Sequence, residues 1–496
     1  MKIPTLRVRS VLLLLFALGL VAGCGEESDD PPDETDSFAA ESVTLAVPEG
    51  FGFENSWKST LDEWSAMTGV ETDVVAYSTG TDLAASIPSK ADLILFPIAR
   101  AAQLQAAGRL APVPKTLESE ENLDWVDLFR GLREQVGKVG GRPFVVPVCS
   151  PALVCCYRRD LLEAAGLEPP ETWDDYQKLL ESRDSWASGL TAVEPWCEEF
   201  RATLFLARAL PWCKHPGSLS VFFDLAEGDP LIDGPGVVHA LELSKQAVNA
   251  AGHPGILNLT PAECRSALLE GKAAIGLTFE TGPGNPPFPF APTPASDSEE
   301  RTPSVRADNI ELGFCPLPGT RQVYNRTIAE WQPTREVDPN HATLTAFAGL
   351  ACGVSPQTPP EHQRAAWNLL AELAVQGVAG NFPGPAKSLC RESQLVAAAT
   401  WTADDLSAAE RGRYVGALAQ SLRNENLATE LPILGRDGFR DDLTAGLTRF
   451  LATDASAQEA LTQVAAQWNT RLDQIGRQKV LNSYRISLGR PPNGKR

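Results

Sequence analysis

Ala91 to Phe96, ADLILF, is a nearly continuous apolar run. A parallel strand covered on both faces reads this way, whereas a half-exposed strand alternates. The segments around it repeat a pattern. Ser42 to Val47 and Val74 to Tyr77 are strand-like. Asn55 to Thr68 between them is amphipathic, with Trp57, Leu61 and Trp64 near helical spacing. Ala99 to Ala107 reads as a helix that stops at Gly108. Strands alternating with helices make βα units on a mostly parallel sheet, which places the chain in the α/β class. After about Pro359 the helical pattern dominates. From Asp437 to Tyr484, Leu443, Leu447, Leu451, Leu461, Val464 and Trp468 lie on apolar stripes.

The stretch Gly141 to Tyr176 is denser in local signals. Pro143 to Val148 and Ala152 to Tyr157 are strand candidates. Pro147 and Pro151 bracket a bend, so the backbone near Cys149 and Ser150 is not expected to continue a central strand. Asp160 to Ala165 predicts a short helix ended by Gly166, and Thr172 caps another, with Asp175 three residues on. Pro283 to Arg306 is rich in Pro, Ser and Thr and reads as a long loop or insertion. Glu311 to Pro316 returns to strand character.

The first residues bear on the compartment. Lys2, Arg7 and Arg9 make a positive start, and Val11 to Ala22 is apolar but too short to span a bilayer as a stable helix. It ends in Val21-Ala22-Gly23-Cys24, which looks like a bacterial lipobox. Residues 1–23 are then a lipoprotein signal peptide and Cys24 is the lipidated residue; an ordinary secretory signal or a short membrane anchor is the alternative. Residues 24–41 are acidic, almost free of apolar side chains, and predict a disordered tether. The formal net charge is −20, and −23 once Lys2, Arg7 and Arg9 leave with the leader. Such a charge argues against a nucleic-acid partner and against a polybasic membrane surface. The remaining chain is too long for one ordinary core, so two lobes are expected.

There are ten cysteines, and lipid on Cys24 leaves nine, so at least one thiol has no partner within the chain. Cys197 and Cys213 flank one helical stretch and are the first candidate pair; small buried filler is the competing reading for most cysteines. Cys155 and Cys156 are adjacent in a strand and should face opposite sides. There is no CxxC and no ligand-like His/Cys spacing, so neither a metal nor a cofactor is expected.

Several motifs occur together in one order. They are Asp92-Leu93-Ile94-Leu95-Phe96 with Gly108-Arg109-Leu110-Ala111-Pro112; the Gly141 to Asp160 block; Gly166-Leu167 with Pro170-Glu171-Thr172-Trp173-Asp174-Asp175; Gly271-Lys272-Ala273-Ala274-Ile275; and Pro385-Ala386-Lys387-Ser388. In this order they resemble the carbohydrate-type extracellular solute-binding proteins of ABC importers, the family that includes maltose-binding protein. The resemblance implies a two-lobe, type II periplasmic-binding-protein-like fold, each lobe a mostly parallel sheet flanked by helices, with a helical C-terminal segment. Carried onto this chain, residues 43–148 plus 311–350 form the N-terminal lobe, and 149–310 plus 351–496 form the C-terminal lobe. The crossing between lobes falls near Pro147 to Pro151.

Sugar recognition needs flat aromatic faces and planar polar groups. By resemblance, Phe96 stands where an aromatic contacts sugar, with Arg100 nearby. Glu194-Pro195-Trp196 resembles a Glu-Pro-Tyr sugar-contacting motif. The competing readings are core packing for Phe96 and Trp196, and a solvated or helix N-terminal carboxylate for Glu194. Pro151 stands where an acidic ligand residue is expected, and Thr281, with Phe279 and Glu280 beside it, where a Trp is expected; maltose itself is therefore not implied. Ser150, Tyr77, Asn55, Trp57 and Trp331 are further candidates by position. The expected function is a monomeric, extracytoplasmic, lipid-anchored receptor on the periplasmic or cell-surface side. It would capture a sugar or oligosaccharide and deliver it to an ABC permease without a catalytic step. Two alternatives are a lipid-anchored hydrolase using Glu194 and Glu280 as an acid/base pair, and a sensor or scaffold of the same fold.

Overall fold

The computed structural model describes residues 38–49, 57–80, 82–119, 123–279, 306–335, 338–375, 388–402 and 405–493. Cys24 and the rest of the leader and early tether, Asn55, Glu280, Thr281, residues 283–305 of the insertion and Pro385 to Lys387 lie outside them. Among the described residues no helix is long and apolar enough to cross a membrane.

The chain begins with β1 (Ser42–Pro48), α1 (Lys58–Thr68), β2 (Glu71–Tyr77), β3 (Leu93–Pro97), α2 (Ala101–Ala106), α3 (Arg130–Gln135) and β4 (Val146–Cys149). It continues through β5 (Val154–Arg158), α4 (Trp173–Glu181), β6 (Thr191–Val193), α5 (Glu198–Cys213), α6 (Pro235–Ala250), α7 (Pro261–Leu269), β7 (Ala273–Thr278) and β8 (Leu312–Pro316). A hairpin of β9 (Gln322–Asn325) and β10 (Glu330–Pro333) follows, then β11 (Thr343–Thr345), β12 (Leu350–Val354) and α8 (Pro360–Val375). The last elements are α9 (Ala408–Arg423), β13 (Leu427–Thr429), α10 (Arg436–Ala452), α11 (Ala457–Ile475) and α12 (Arg477–Ser487).

Two sheets organise these elements. The first has the order β2-β1-β3-β12-β4. β1 is parallel to β2 and β3, while β12 is antiparallel to β3 and β4, so only β12 is reversed. β3 is the middle strand and all five of its residues are buried, as an unbroken apolar run requires. The second sheet has the order β8-β5-β7-β6, in which only β5 is reversed. Each reversed strand is the one by which the chain enters that sheet from the other.

Sheet membership divides the chain differently from the expected boundaries. β8, expected with the first lobe, is hydrogen-bonded to β5 in the second sheet. β12 and α8, expected with the second lobe, belong with the first sheet, where α8 packs against β1, β3, β4 and α1. Strand character at Glu311 to Pro316 is visible in sequence, but the pairing edge depends on a partner about 150 residues away. Pro147 lies inside β4, yet β4 pairs on one side only, and its register with β12 slips between Leu350 and Ala351. A missing N–H is tolerated at such an edge bulge.

β5 shows the expected alternation. Cys155 and Tyr157 enter the core shared with α4, α5, α6, α10 and α11, whereas Val154 and Cys156 face the core continuous with the first sheet. Thr172 caps α4 through a full capping box with Asp175. The candidate disulfide is corrected: Cys197 and Cys213 stand at opposite ends of the 16-residue α5. At 1.5 Å per residue they are about 24 Å apart, far beyond disulfide reach. All nine described cysteines are free thiols. Burial pushes Cys197 up to about 11 and Cys213 up to about 12, which keeps both protonated near neutrality.

Candidate functional site

The two passages between the sheets touch. Leu350 pairs with Cys149 across β12 and β4. Gly349, at φ 99°, approaches so closely that a β-carbon there would sit 2.2 Å from the Cys149 carbonyl oxygen and 3.0 Å from the Ser150 Cα. Only glycine fits this backbone and this spacing. The Gly349 carbonyl also accepts from the Ile98 amide at 3.0 Å, which draws the turn after β3 onto the same point. Ser150 and the Ile98–Arg100 turn therefore flank one glycine. The Ser150 hydroxyl is buried and has no hydrogen-bond partner among the described residues.

An ionic chain extends from this junction into the second lobe. Arg100 Nη1 meets Asp437 Oδ2 at 2.5 Å, linking the turn after β3 to the first turn of α10. Asp437 also lies 3.5 Å from Arg436. The Arg436 guanidinium binds Glu430, whose other oxygen accepts from the Thr203 hydroxyl at 2.5 Å and faces Arg440 at 4.0 Å. Glu430 is fully buried, and its amide donates to the Thr345 carbonyl at 3.0 Å, just before the second passage. Burial pulls the Arg440 guanidinium below its ordinary range, against the raising effect of Glu430. This cluster was not legible as a site. Its available signal was Arg436 and Arg440 at helical i, i+4 spacing six and ten residues after Glu430.

Of the residues expected from sequence, Arg100 and Ser150 lie at this junction. Phe279 packs with Phe200 and Phe347 at centroid distances of 5.9 and 5.6 Å, the latter residue lying in the second passage. Glu194 and Trp196 are buried together in the second lobe. Trp196 Nε1 donates to Glu194 Oε2 at 2.9 Å, and Arg208 Nη1 donates to Glu194 Oε1 at 2.8 Å. Arg208 also stacks over Trp173 at 4.2 Å and donates to Ser244. Phe96 and Trp57 are buried in the first core. The Tyr77 hydroxyl donates to the Leu95 carbonyl at 2.6 Å, fastening β2 to β3. Trp331 stands apart on the hairpin, in edge-to-face contact with Tyr324, Trp212 and His239, and is 37% exposed.

A cavity of about 860 Å³ contains none of these residues. It opens between the hairpin, β11 and the end of α9, and carboxamides and imidazoles line it: Gln332, Asn340, Asn424, Asn426, His215 and His341. Among the described residues no group of three or more His, Cys, Asp or Glu side chains is placed to hold a metal ion.

A family model described as bacterial extracellular solute-binding protein matches residues 55–300. The chain belongs to that family. Solved structures extend the likeness beyond the matched segment. The sugar-binding protein MalE from Xanthomonas citri is 16% identical, with 88% of this chain and 99% of that chain covered at a TM-score of 0.61. An ABC transporter solute-binding protein from Agrobacterium radiobacter K84, in complex with ribitol, is 19% identical over 88% of this chain and 100% of that one, at a TM-score of 0.59. Maltose-bound MalE3 of T. maritima is 16% identical over 87% of this chain and 100% of its own, at a TM-score of 0.58. At such identities the likeness establishes the solute-binding fold, two α/β lobes joined by crossing segments. In that fold the Gly349–Ser150 contact lies at the connection between lobes, and the Arg100–Asp437 pair spans them.

Proposed function

We propose that this protein captures a carbohydrate or polyol between its lobes and delivers it to an ABC permease, with no catalytic step. The observation that carries the reading is the pair of touching passages between the two sheets, flanked on both sides by polar groups of the kind that bond sugar hydroxyls. A short double connection of this sort permits hinge closure around a ligand. The names of similar structures point the same way, since they include complexes with ribitol, D-mannitol and alpha-D-tagatose. We place Arg100 and Ser150 on the solute from the first lobe, and the Thr203–Glu430–Arg440 group from the second. Phe96, Phe279, Glu194 and Trp196 support that surface from within the cores, and Tyr77 and Trp57 support the first sheet. A hydrolytic role for Glu194 is disfavoured because Arg208 and Trp196 already occupy its two oxygens. The protein is held at the extracytoplasmic membrane face through lipid on Cys24 and works as a monomer.

A thermal-shift screen of the purified protein against sugars and polyols tests the reading. A saturable rise in Tm with at least one carbohydrate, lost in Ser150→Val, is expected; no response across the library would sink the carbohydrate assignment. Fatty-acid labelling of cells that is abolished by Cys24→Ala tests the anchor.

A further inference from the structure

A second groove, of about 440 Å³, lies between α3 of the first lobe and α12 of the second, and shares no residue with the Arg100–Asp437 junction. Lys214 lines it. This lysine follows the last turn of α5 and is only 7% exposed. Its ammonium donates to the Ser218 carbonyl at 3.1 Å, and no carboxylate pairs with it among the described residues. A buried cation without a counter-charge is costly, and burial accordingly pulls the Lys214 pKa down. Arg490 stands exposed at the rim of the same groove, and it too has no carboxylate partner among the described residues. Thr429 contributes a buried hydroxyl with no hydrogen-bond partner among the described residues. The groove's two carboxylates are already committed: Glu134 to Lys138 and Arg133, and Glu425 to Arg130. On a chain of net charge −20, two cations and a free hydroxyl left around one cavity form a site short of negative charge.

We propose that this groove binds a small molecule through a phosphate or carboxylate group, with Lys214 and Arg490 as its counter-charges and Thr429 as a hydrogen-bond donor. The site is independent of the carbohydrate reading, because a neutral sugar screen can fail while this site holds, and the reverse.

The test uses inorganic phosphate and succinate against the full protein, at fixed ionic strength set with chloride, with glycerol as the neutral control. Thermal shift and calorimetry should both give saturable binding of at least one anion. Charged hydrogen bonds of this kind are worth enough that Lys214→Met should weaken binding about tenfold or more, while Lys214→Arg keeps most of it. Because the buried charge disfavours the folded state, Lys214→Met should itself raise the Tm without ligand, so loss of binding cannot be blamed on unfolding. The sign follows from the depressed pKa. The folded state holds its proton less tightly than the unfolded chain, so the gain is full below the folded pKa and fades as pH rises toward the ordinary lysine value. Should that variant fold poorly, Arg490→Gln at its exposed position gives the same reading. No saturable response to either anion, or a response that Lys214→Met retains in full, overturns the proposal.

Discussion

The Glu194–Arg208 centre and the Arg100–Asp437 junction are both ion pairs beside strand ends, but they differ in what they join. Glu194 and Arg208 lie in a single lobe, both almost wholly buried, and Trp196, Trp173 and Ser244 complete their surroundings. Arg100 and Asp437 come from different lobes, and their side chains keep 12% and 31% exposure. The first pair is a fixed part of one core. The second can separate into water if the lobes part, because neither member is sealed. Glu430 stands between these cases, as buried as Glu194 but linked through Arg436 to Asp437 at the lobe boundary. Exposure falls along the ionic chain from Asp437 to Glu430, and at its exposed end water can replace the pair.

The largest effect is expected from breaking the enclosed pair. Glu194→Gln or Arg208→Met alone leaves an uncompensated buried group and should cost about 3–5 kcal/mol in urea unfolding. The double variant should recover part of that loss, since both charges go together. If each single change costs no more than an exposed pair, the centre does not hold the second lobe. Gly349→Ala comes next. The added methyl meets the Cys149 carbonyl in a left-handed backbone conformation, and a strained position of this sort costs about 1–3 kcal/mol. A Tm equal to that of the unmodified protein would show that the two passages are not in obligatory contact.

Sequence alone exposed much of this architecture where the signal was local. ADLILF reads as a doubly covered strand because its residues carry the pattern by themselves, and Thr172 with Asp175 predicts a cap for the same reason. The connection of β8 to β5, and of β12 to β3, depends on partners far away in the chain, so strand character was legible and lobe membership was not. The same limit applies to the site. Arg100 was named through the resemblance and Ser150 by position; Ser150 borders Gly349, and Arg100 ends the turn whose Ile98 amide bonds that glycine. Glu194 and Trp196 were also named through the resemblance, yet Arg208, fourteen residues on, turns them inward. Nothing in the local motif announces that arginine. Thr203, Glu430 and Arg440 converge only after α5 and α10 pack, so their grouping is a tertiary fact.

The smallest effect on stability and the sharpest on shape should come from Arg100→Ala. A partly exposed pair of this kind contributes no more than about 1 kcal/mol, so the unfolding midpoint should barely move. Small-angle scattering without solute should nevertheless show a larger radius of gyration, because the pair is a direct side-chain tie between the lobes. Asp437→Asn should do the same more weakly, since it keeps a hydrogen-bond acceptor for Arg100. Raising the salt concentration should move the unmodified protein toward the variant's profile while leaving the Glu194–Arg208 centre intact, because screening reaches exposed charges and not sealed ones. If the Arg100→Ala profile is superimposable on the original at low salt, the lobes are held together by the packing of α12 against α2 instead, and the difference drawn between the two ion pairs would concern burial alone.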